Sequence, residues 1–188
     1  MDIRKQIERL DQLIEFVENE LPRFAENVLA VDVIAQVFDR VTSTGESHTG
    51  ALFTAYSTQD IPAFRFWGKS RTQTAEDKVR ALARDKNKRK RVLNYQKFRD
   101  INGLNSDKKT FEFTGDMWSS LGVIETVKTA TGFTTRIASK TKSGQEKIEV
   151  NSEREGLSII EANEVERALA QQGAKEWLED NANRILNE

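Results

Sequence analysis

Apolar residues recur at alternating intervals of four and three positions along the first stretch of the chain, which limits how it can fold. The series comprises Ile3, Ile7, Leu10, Ile14, Val17, Leu21, Phe24, Val28, Val31, Ala35 and Phe38. In an α-helix these intervals place every member along one side, which we call the apolar stripe. The opposite side carries charged residues such as Lys5, Glu8 and Glu15. Segment 1–42 is therefore predicted to form a long N-terminal helix with one face to bury.

Pro22 lies inside this pattern but leaves its phase unchanged. Proline cannot donate a backbone hydrogen bond and is favoured in the first turn of a helix. The sequence therefore predicts either a kink at Pro22 or two helices, the second of which begins there. Since a lone helix cannot bury the stripe, three arrangements stay open: a coiled-coil dimer, a helix docked on a sheet of the same chain, and a contact helix in a larger assembly.

The composition limits the class of protein. A chain of 188 residues suits a single domain, 1–188, and an apolar fraction of 37% against 31% charged residues indicates an elongated shape or a core completed by partners. The net charge of −1 gives no overall attraction to nucleic acid. The lack of cysteine excludes disulfides and thiolate catalysis. No stretch is apolar enough for a signal peptide or a membrane span, so we expect a soluble product without a membrane partner.

The middle of the chain alternates between irregular and helical composition. Turn formers fill 43–50, and the aromatic-rich stretch 51–68 has no clean period, so both are expected to be irregular. Segment 74–101 has helical composition and is expected to form a basic helical insertion.

The second half of the chain predicts strands followed by a helix. Three strands, 123–129, 134–140 and 146–150, are expected to form a small antiparallel β-meander within 110–151. Ser158 and Glu161 match a capping box, which would begin an acidic C-terminal helix over 158–187. The predicted fold class is α+β, with the N-terminal and C-terminal helices packed on the meander.

Few residues are candidates for a catalytic or metal-binding role. His48 is the only histidine and lies in a turn-rich loop beside Ser47 and Glu46, a composition typical of any exposed loop. Neither a Gly-x-x-x-x-Gly-Lys loop nor a Gly-x-Gly-x-x-Gly turn is present. The sequence therefore predicts a protein that is not an enzyme, with no cofactor, no metal site and no small-molecule substrate.

One strongly basic run has a plausible ligand. Its cations are Arg84, Lys86, Lys88, Arg89, Lys90 and Arg91. They could neutralise phosphates of DNA, meet an acidic partner protein such as the C-terminal region of an adjacent copy, or form a solvated helix face. Nearby, Phe64, Phe66 and Trp67 lie close to Arg65 and Arg71 in the sequence. We interpret these aromatic residues as buried in a core or interface, with a base-stacking platform as the alternative.

Three stretches of the chain suggest a family. Asp39–Thr58 runs from a helix end through a Gly-containing polar loop to a Tyr-Ser pair, and Phe111–Val123 has the pattern apolar–Thr-Gly–x–Met–x–x–Ser–apolar. Gly156–Glu161 is a small-residue turn before the last helix. In content and order these stretches resemble the virion-morphogenesis proteins of tailed phages, the tail-completion or neck proteins at the head–tail connector.

The resemblance implies a small α+β subunit that forms a homo-oligomeric ring between the portal of the capsid and the tail. It would be made in the host bacterial cytoplasm and reside in the virion, where portal, connector or tail proteins are its partners and packaged DNA is a further contact. Such proteins have no catalytic residues. A rival function is a nucleic-acid-binding module that uses the basic run 84–91.

The first part of the apolar stripe is the candidate subunit interface in this interpretation. We call it the N-terminal seam, and it consists of Ile3, Ile7, Leu10, Ile14, Val17 and Leu21. Neighbouring copies would bury the seam through contacts that close the ring.

Overall fold

The computed structural model describes residues 3–84, 92–111, 115–129 and 132–187. Helices dominate these ranges, in which two antiparallel sheets of two strands each complete the fold. The prediction of an α+β fold with a long N-terminal helix and a C-terminal helix is confirmed.

A continuous helical segment runs from Ile3 to Thr44. It consists of α1 (Ile3–Phe24), a π-helical turn (Ala25–Leu29), α2 (Ala30–Asp39) and a second π-helical turn (Arg40–Thr44). Pro22 lies within α1, so the alternative in which a second helix begins at Pro22 is not observed. The first π turn comes soon after Pro22, whose ring and missing N–H disturb regular helical bonding.

The C-terminal helix packs antiparallel against the N-terminal segment. This helix is residues Glu164–Asn187, and we number it α7 by its place in the chain. The ring of Trp177 is stacked between Phe16 and Phe24, with centroid distances of 5.3 and 4.7 Å. Gly173 lies against Leu29, where an added Cβ would be 3.1 Å from a methyl carbon. One side of the N-terminal helix is thereby covered along most of its length.

The predicted start of the C-terminal helix is wrong. The capping box that forms is Asn163 with Glu166: Asn163 Oδ1 accepts the Glu166 N–H at 2.8 Å, and Glu166 Oε2 accepts the Asn163 N–H at 2.7 Å. Ser158 and Glu161 lie in the preceding loop. Ile159 in that loop is fully buried in the main core, and its packing holds the loop in a bent, non-helical conformation where a helix was expected.

The predicted meander is a two-stranded hairpin. Strands β3 (Leu121–Thr129) and β4 (Gly132–Ser139) pair antiparallel, with an irregularity between Val123 and Glu125. The third predicted strand, 146–150, is wrong, because Lys142–Glu155 forms helix α6. Thr141 caps this helix by accepting the Gly144 N–H at 3.1 Å. Ile148 of the helix is buried in the main core.

The predicted basic helix over 74–101 is also interrupted. Helix α3 (Gln73–Arg84) and helix α4 (Tyr95–Ile101) flank a short strand, β2 (Val92–Leu93), which pairs antiparallel with β1 (Ile61–Pro62). Leu93 is buried in the second core, and Asn94 caps α4 by accepting the Lys97 N–H at 2.8 Å. Burial and capping at these two positions end any continuous helix.

Most buried apolar residues of the described ranges belong to one of two clusters. The main core joins α2, the short helix α5 (Asp116–Ser119), α6 and the loop before α7. Its buried members are Val37, Val41, Phe53, Met117, Trp118, Ile148 and Ile159. The second core lies between β1, β2, α3 and α4, and its buried members are Ala63, Phe66, Val79, Leu93 and Phe98.

A buried polar network connects the two cores. The Tyr56 hydroxyl accepts the N–H groups of Thr110 and Phe111 at 3.1 and 3.2 Å. The Arg99 guanidinium lies 4.2 Å from the centre of the Tyr56 ring and donates to the Asn105 carbonyl and the Thr110 hydroxyl. These bonds satisfy donors that would be costly to bury unpaired.

Arg40 ties the end of the N-terminal segment to the start of α7. Its Nε lies 2.7 Å from Glu166 Oε1, and its other nitrogens donate to the Glu46 and Glu161 carbonyls. Both side chains of the ion pair are at least nine-tenths buried. Loss of one partner of such a pair leaves a buried charge without compensation.

We expect Arg40→Met to lower the free energy of unfolding by about 3–5 kcal/mol, because the Glu166 carboxylate stays buried without its cation. Urea denaturation followed by circular dichroism, at one protein concentration, measures this. Arg23→Met is the matched control, since Arg23 pairs with Glu20 on the exposed surface of α1 and should cost less than about 1 kcal/mol. Equal losses in the two variants would contradict the prediction.

Candidate functional site

The structure leaves most of the N-terminal seam in contact with solvent. Ile3, Ile7, Leu10 and Ile14 are between 52% and 71% exposed, whereas Val17 and Leu21 are partly buried. These four side chains follow one another along α1 at helical intervals, so they form one continuous apolar surface. Exposed apolar patches of this kind mark interaction surfaces in soluble proteins.

The position of the hairpin explains why the seam is exposed up to Ile14 but partly buried at Val17. A groove of about 400 Å³ lies between α1 and the hairpin tip, with Ile14 and Val17 on one wall and Phe133 on the other. Lys128 Nζ of the hairpin donates a hydrogen bond to Glu18 of α1 and bridges the groove. The seam is therefore open at its N-terminal end and continues into a partly covered apolar groove.

The later part of the apolar stripe is exposed as well. Val28 and Val31 are open to solvent, and Val31 lines a second groove of about 450 Å³ with Ile34 and the base of the hairpin. Phe38 is partly exposed and meets Trp118 edge to face at 5.3 Å. The helix thus presents apolar side chains to solvent along both α1 and α2.

The basic run cannot be placed as a unit. Arg84 is exposed at the last position of α3. Lys86, Lys88, Arg89, Lys90 and Arg91 lie outside the described residues. Its contact with DNA or with a partner protein therefore stays a prediction.

A basic cleft of about 460 Å³ separates the two cores. Lys109, Lys147 and Arg154 line it together with Tyr56 and Arg99. Glu155 pairs with Lys109, and Asp116 lies 3.3 Å from Lys147. These acids balance part of the positive charge, and burial raises the pKa of Tyr95 at the edge of the cleft. The cleft is held together by paired side chains that connect α6 to the loop carrying Lys109.

Glu155, which pairs with Lys109 at the wall of the cleft, has a perturbed pKa. Burial alone would raise its pKa, but hydrogen bonds from Lys109 and from the amide and hydroxyl of Thr54 outweigh burial and lower it. The carboxylate form is therefore favoured in the folded protein.

The loop around His48 is built from local contacts. His48 Nε2 lies 3.6 Å from a carboxylate oxygen of Glu161, and Ser47 Oγ lies 2.9 Å from Thr49 Oγ1. Glu46 and Leu52 form an isolated antiparallel bridge that closes the turn. These contacts attach the turn to the loop before α7.

Within residues 3–84, 92–111, 115–129 and 132–187, no three His, Asp or Glu side chains cluster in a way that could hold a metal ion. No helix within the same ranges combines the length and the apolar character needed to cross a membrane.

The aromatic residues near position 65 differ from the prediction. Phe66 is buried, as expected, but Phe64 and Trp67 are 58% and 46% exposed to solvent. A four-residue 3₁₀ turn, Ala63–Phe66, separates the inward from the outward side chains. Pro62 directly before the turn is the sequence signal that a short turn begins here.

Comparison of the chain with protein-family models, with curated proteins and with solved structures gave no match. The resemblance to neck proteins therefore stays a prediction.

The stability contributed by Glu155 should depend on pH. Because its pKa is lowered on folding, this contribution is present above the pKa of the unfolded carboxyl and is lost as pH falls through the folded value. We expect the difference in unfolding free energy between the wild type and Glu155→Gln to be largest near pH 7 and to shrink below about pH 4. Urea titrations across this range measure the difference.

Glu179→Gln is the control, since Glu179 is exposed on α7 and its pair with Lys175 joins adjacent turns of one helix. A difference for Glu155→Gln that stays constant with pH would contradict the assigned cause.

Proposed function

We propose that this protein is a structural subunit that assembles with copies of itself through the N-terminal seam. The exposure of Ile3, Ile7, Leu10 and Ile14 along one helix is the observation that carries the proposal. Since α7 covers a different side of α1, a second copy can reach the seam without any rearrangement of the chain.

The free energy gained by burying the seam indicates how strongly such copies would associate. Fully burying an exposed Ile or Leu side chain contributes roughly 1.5–3 kcal/mol. Because these four side chains are only 52–71% exposed, covering them contributes roughly 3–8 kcal/mol per chain. Association costs about 4–15 kcal/mol in lost translational and rotational freedom. The two quantities are similar, so the assembly should depend on concentration and should need additional contact surface.

A ring requires two different surfaces on each chain, because the seam of one copy must pack against another part of the next. Val165 and Leu169 supply such a surface. They are exposed and lie one turn apart near the start of α7. We propose that this pair receives the seam of the neighbouring copy.

We further propose that the ring is located at the head–tail junction of a tailed-phage particle, between portal-side and tail-side components. The resemblance of Asp39–Thr58, Phe111–Val123 and Gly156–Glu161 to neck proteins supports this location. The polar loop 43–50 would contact the adjoining ring, and packaged DNA would cross the central channel.

Ile7→Glu combined with Ile14→Glu should convert the oligomer to a monomer, because burying two carboxylates without partners opposes association. Size-exclusion chromatography with light scattering over a range of concentrations measures the mass. Leu52→Glu is the matched control, since Leu52 is 69% exposed outside the seam. A wild-type protein that stays monomeric at every concentration would contradict self-assembly.

A mixing experiment distinguishes a ring from a symmetric dimer. The seam variant keeps Val165 and Leu169, and a Leu169→Glu variant keeps the seam. If the two surfaces pack against each other, neither variant assembles alone but the mixture forms a one-to-one pair. If seam packs on seam, Leu169→Glu still forms dimers by itself, which would reject the ring.

If the protein is located at the head–tail junction, phage particles that lack it should accumulate as separate filled heads and tails. Electron microscopy of lysates, and mass spectrometry of purified particles, test this outcome. The double seam variant should show the same defect, whereas Leu52→Glu should yield joined particles. Complete particles that do not contain the protein would refute the location at the junction.

A further inference from the structure

The 3₁₀ turn Ala63–Phe66 sorts its aromatic side chains into two sets. A 3₁₀ helix has three residues per turn, so side chains three apart point the same way. Ala63 and Phe66 are buried in the second core, whereas Phe64 and Trp67 are both directed to solvent. Phe64 in the turn and Trp67 directly after it therefore present two exposed aromatic rings to solvent, which we call the aromatic platform.

The backbone beneath the platform is fixed at several points. Phe66 stacks on Phe98 with a centroid distance of 4.5 Å. The Gly68 N–H donates to Glu76 Oε1 at 2.9 Å, and its φ of 69° suits glycine. The Arg71 N–H donates to the Asn102 side chain at 2.7 Å. The exposed rings thus stand on a rigid support, so binding would cost little conformational entropy.

The charged residues within segment 61–71, which carries the platform, are all basic. Segment 61–71 contains three basic residues, Arg65, Lys69 and Arg71, and no acidic residue, and all three are exposed. The nearby Glu76 is a buried residue of α3, and a hydrogen bond from Arg80 lowers its pKa. Asp60 precedes β1 and accepts a hydrogen bond from Asn94. The segment that carries the rings therefore bears three exposed positive charges and no negative charge.

We propose that the aromatic platform binds single-stranded nucleic acid, with bases stacked on Phe64 and Trp67 and phosphates contacted by Arg65, Lys69 and Arg71. Exposed aromatic rings interleaved with cations are the combination that such strands recognise, because every base offers a face for stacking. In a duplex those faces are already stacked on one another, so the rings would have to intercalate. The site is separate from the N-terminal seam and does not depend on the proposed assembly.

Binding can be measured with a fluorescent oligodeoxythymidine of about 16 nucleotides, a length within the range that single-strand sites cover. We expect the wild type to bind it more tightly than a duplex of equal length. The logarithm of the binding constant should fall with the logarithm of salt concentration with a slope of about −2, the value for three phosphate contacts. Oligouridine of the same length shows whether RNA is also accepted.

Variants separate stacking from charge. Phe64→Ala and Trp67→Ala should each weaken binding at least about fivefold with little change in the salt slope. Arg65→Glu with Lys69→Glu should weaken binding and reduce the slope. Leu52→Ala and Lys142→Glu are matched controls at exposed positions elsewhere and should bind as the wild type does. Circular dichroism and urea titration of each variant check that the fold is kept.

Three results would overturn the proposal. The wild type could fail to bind the oligonucleotide at low salt, or Phe64→Ala and Trp67→Ala could bind as tightly as the wild type. A change in oligomer mass on Trp67→Ala without any nucleic-acid binding would assign the platform to protein contact. Because the double seam variant should still bind the strand, loss of self-assembly does not affect the test.

Discussion

The stacking of Trp177 between Phe16 and Phe24 is the contact from which the other surfaces of this molecule follow. It holds α7 along one side of the N-terminal helix, and the Arg40–Glu166 ion pair fixes the far end of the same interface. Because α7 takes that side, Ile3, Ile7, Leu10 and Ile14 stay open on another. Intramolecular packing and the surface available to partners are thus two results of one arrangement.

The N-terminal helix and the hairpin could be predicted because each has a strong local pattern. The stripe has a helical period over many turns, and β3 and β4 are both rich in β-branched residues. The errors arise where tertiary contacts decide between local alternatives. Burial of Ile159 selects Asn163 over Ser158 as the helix cap, and burial of Ile148 suits a helix as well as a strand.

The candidate sites differ in how far the sequence could reveal them. The seam could be located from its spacing, but the partial burial of Val17 depends on the hairpin, which is distant in the chain. The outward direction of Phe64 and Trp67 depends on a turn of four residues, too short to give a periodic signal. Hydrophobicity alone predicts that such rings are buried, and only the direction of the turn shows otherwise.

The π-helical turn at Ala25–Leu29 has a consequence for how the stripe is used. The inward positions run from Phe24 to Leu29 and then to Val33, Val37 and Val41, so one step of five residues lies among steps of four. One extra residue in a helix rotates every following side chain by about 100°. Val28 and Val31, which continue the sequence pattern after Phe24, lie outside the inward set that follows this turn and are exposed. A single heptad-like repeat in the sequence therefore yields two exposed faces of different orientation. One helix can thus contact two neighbouring proteins at the same time.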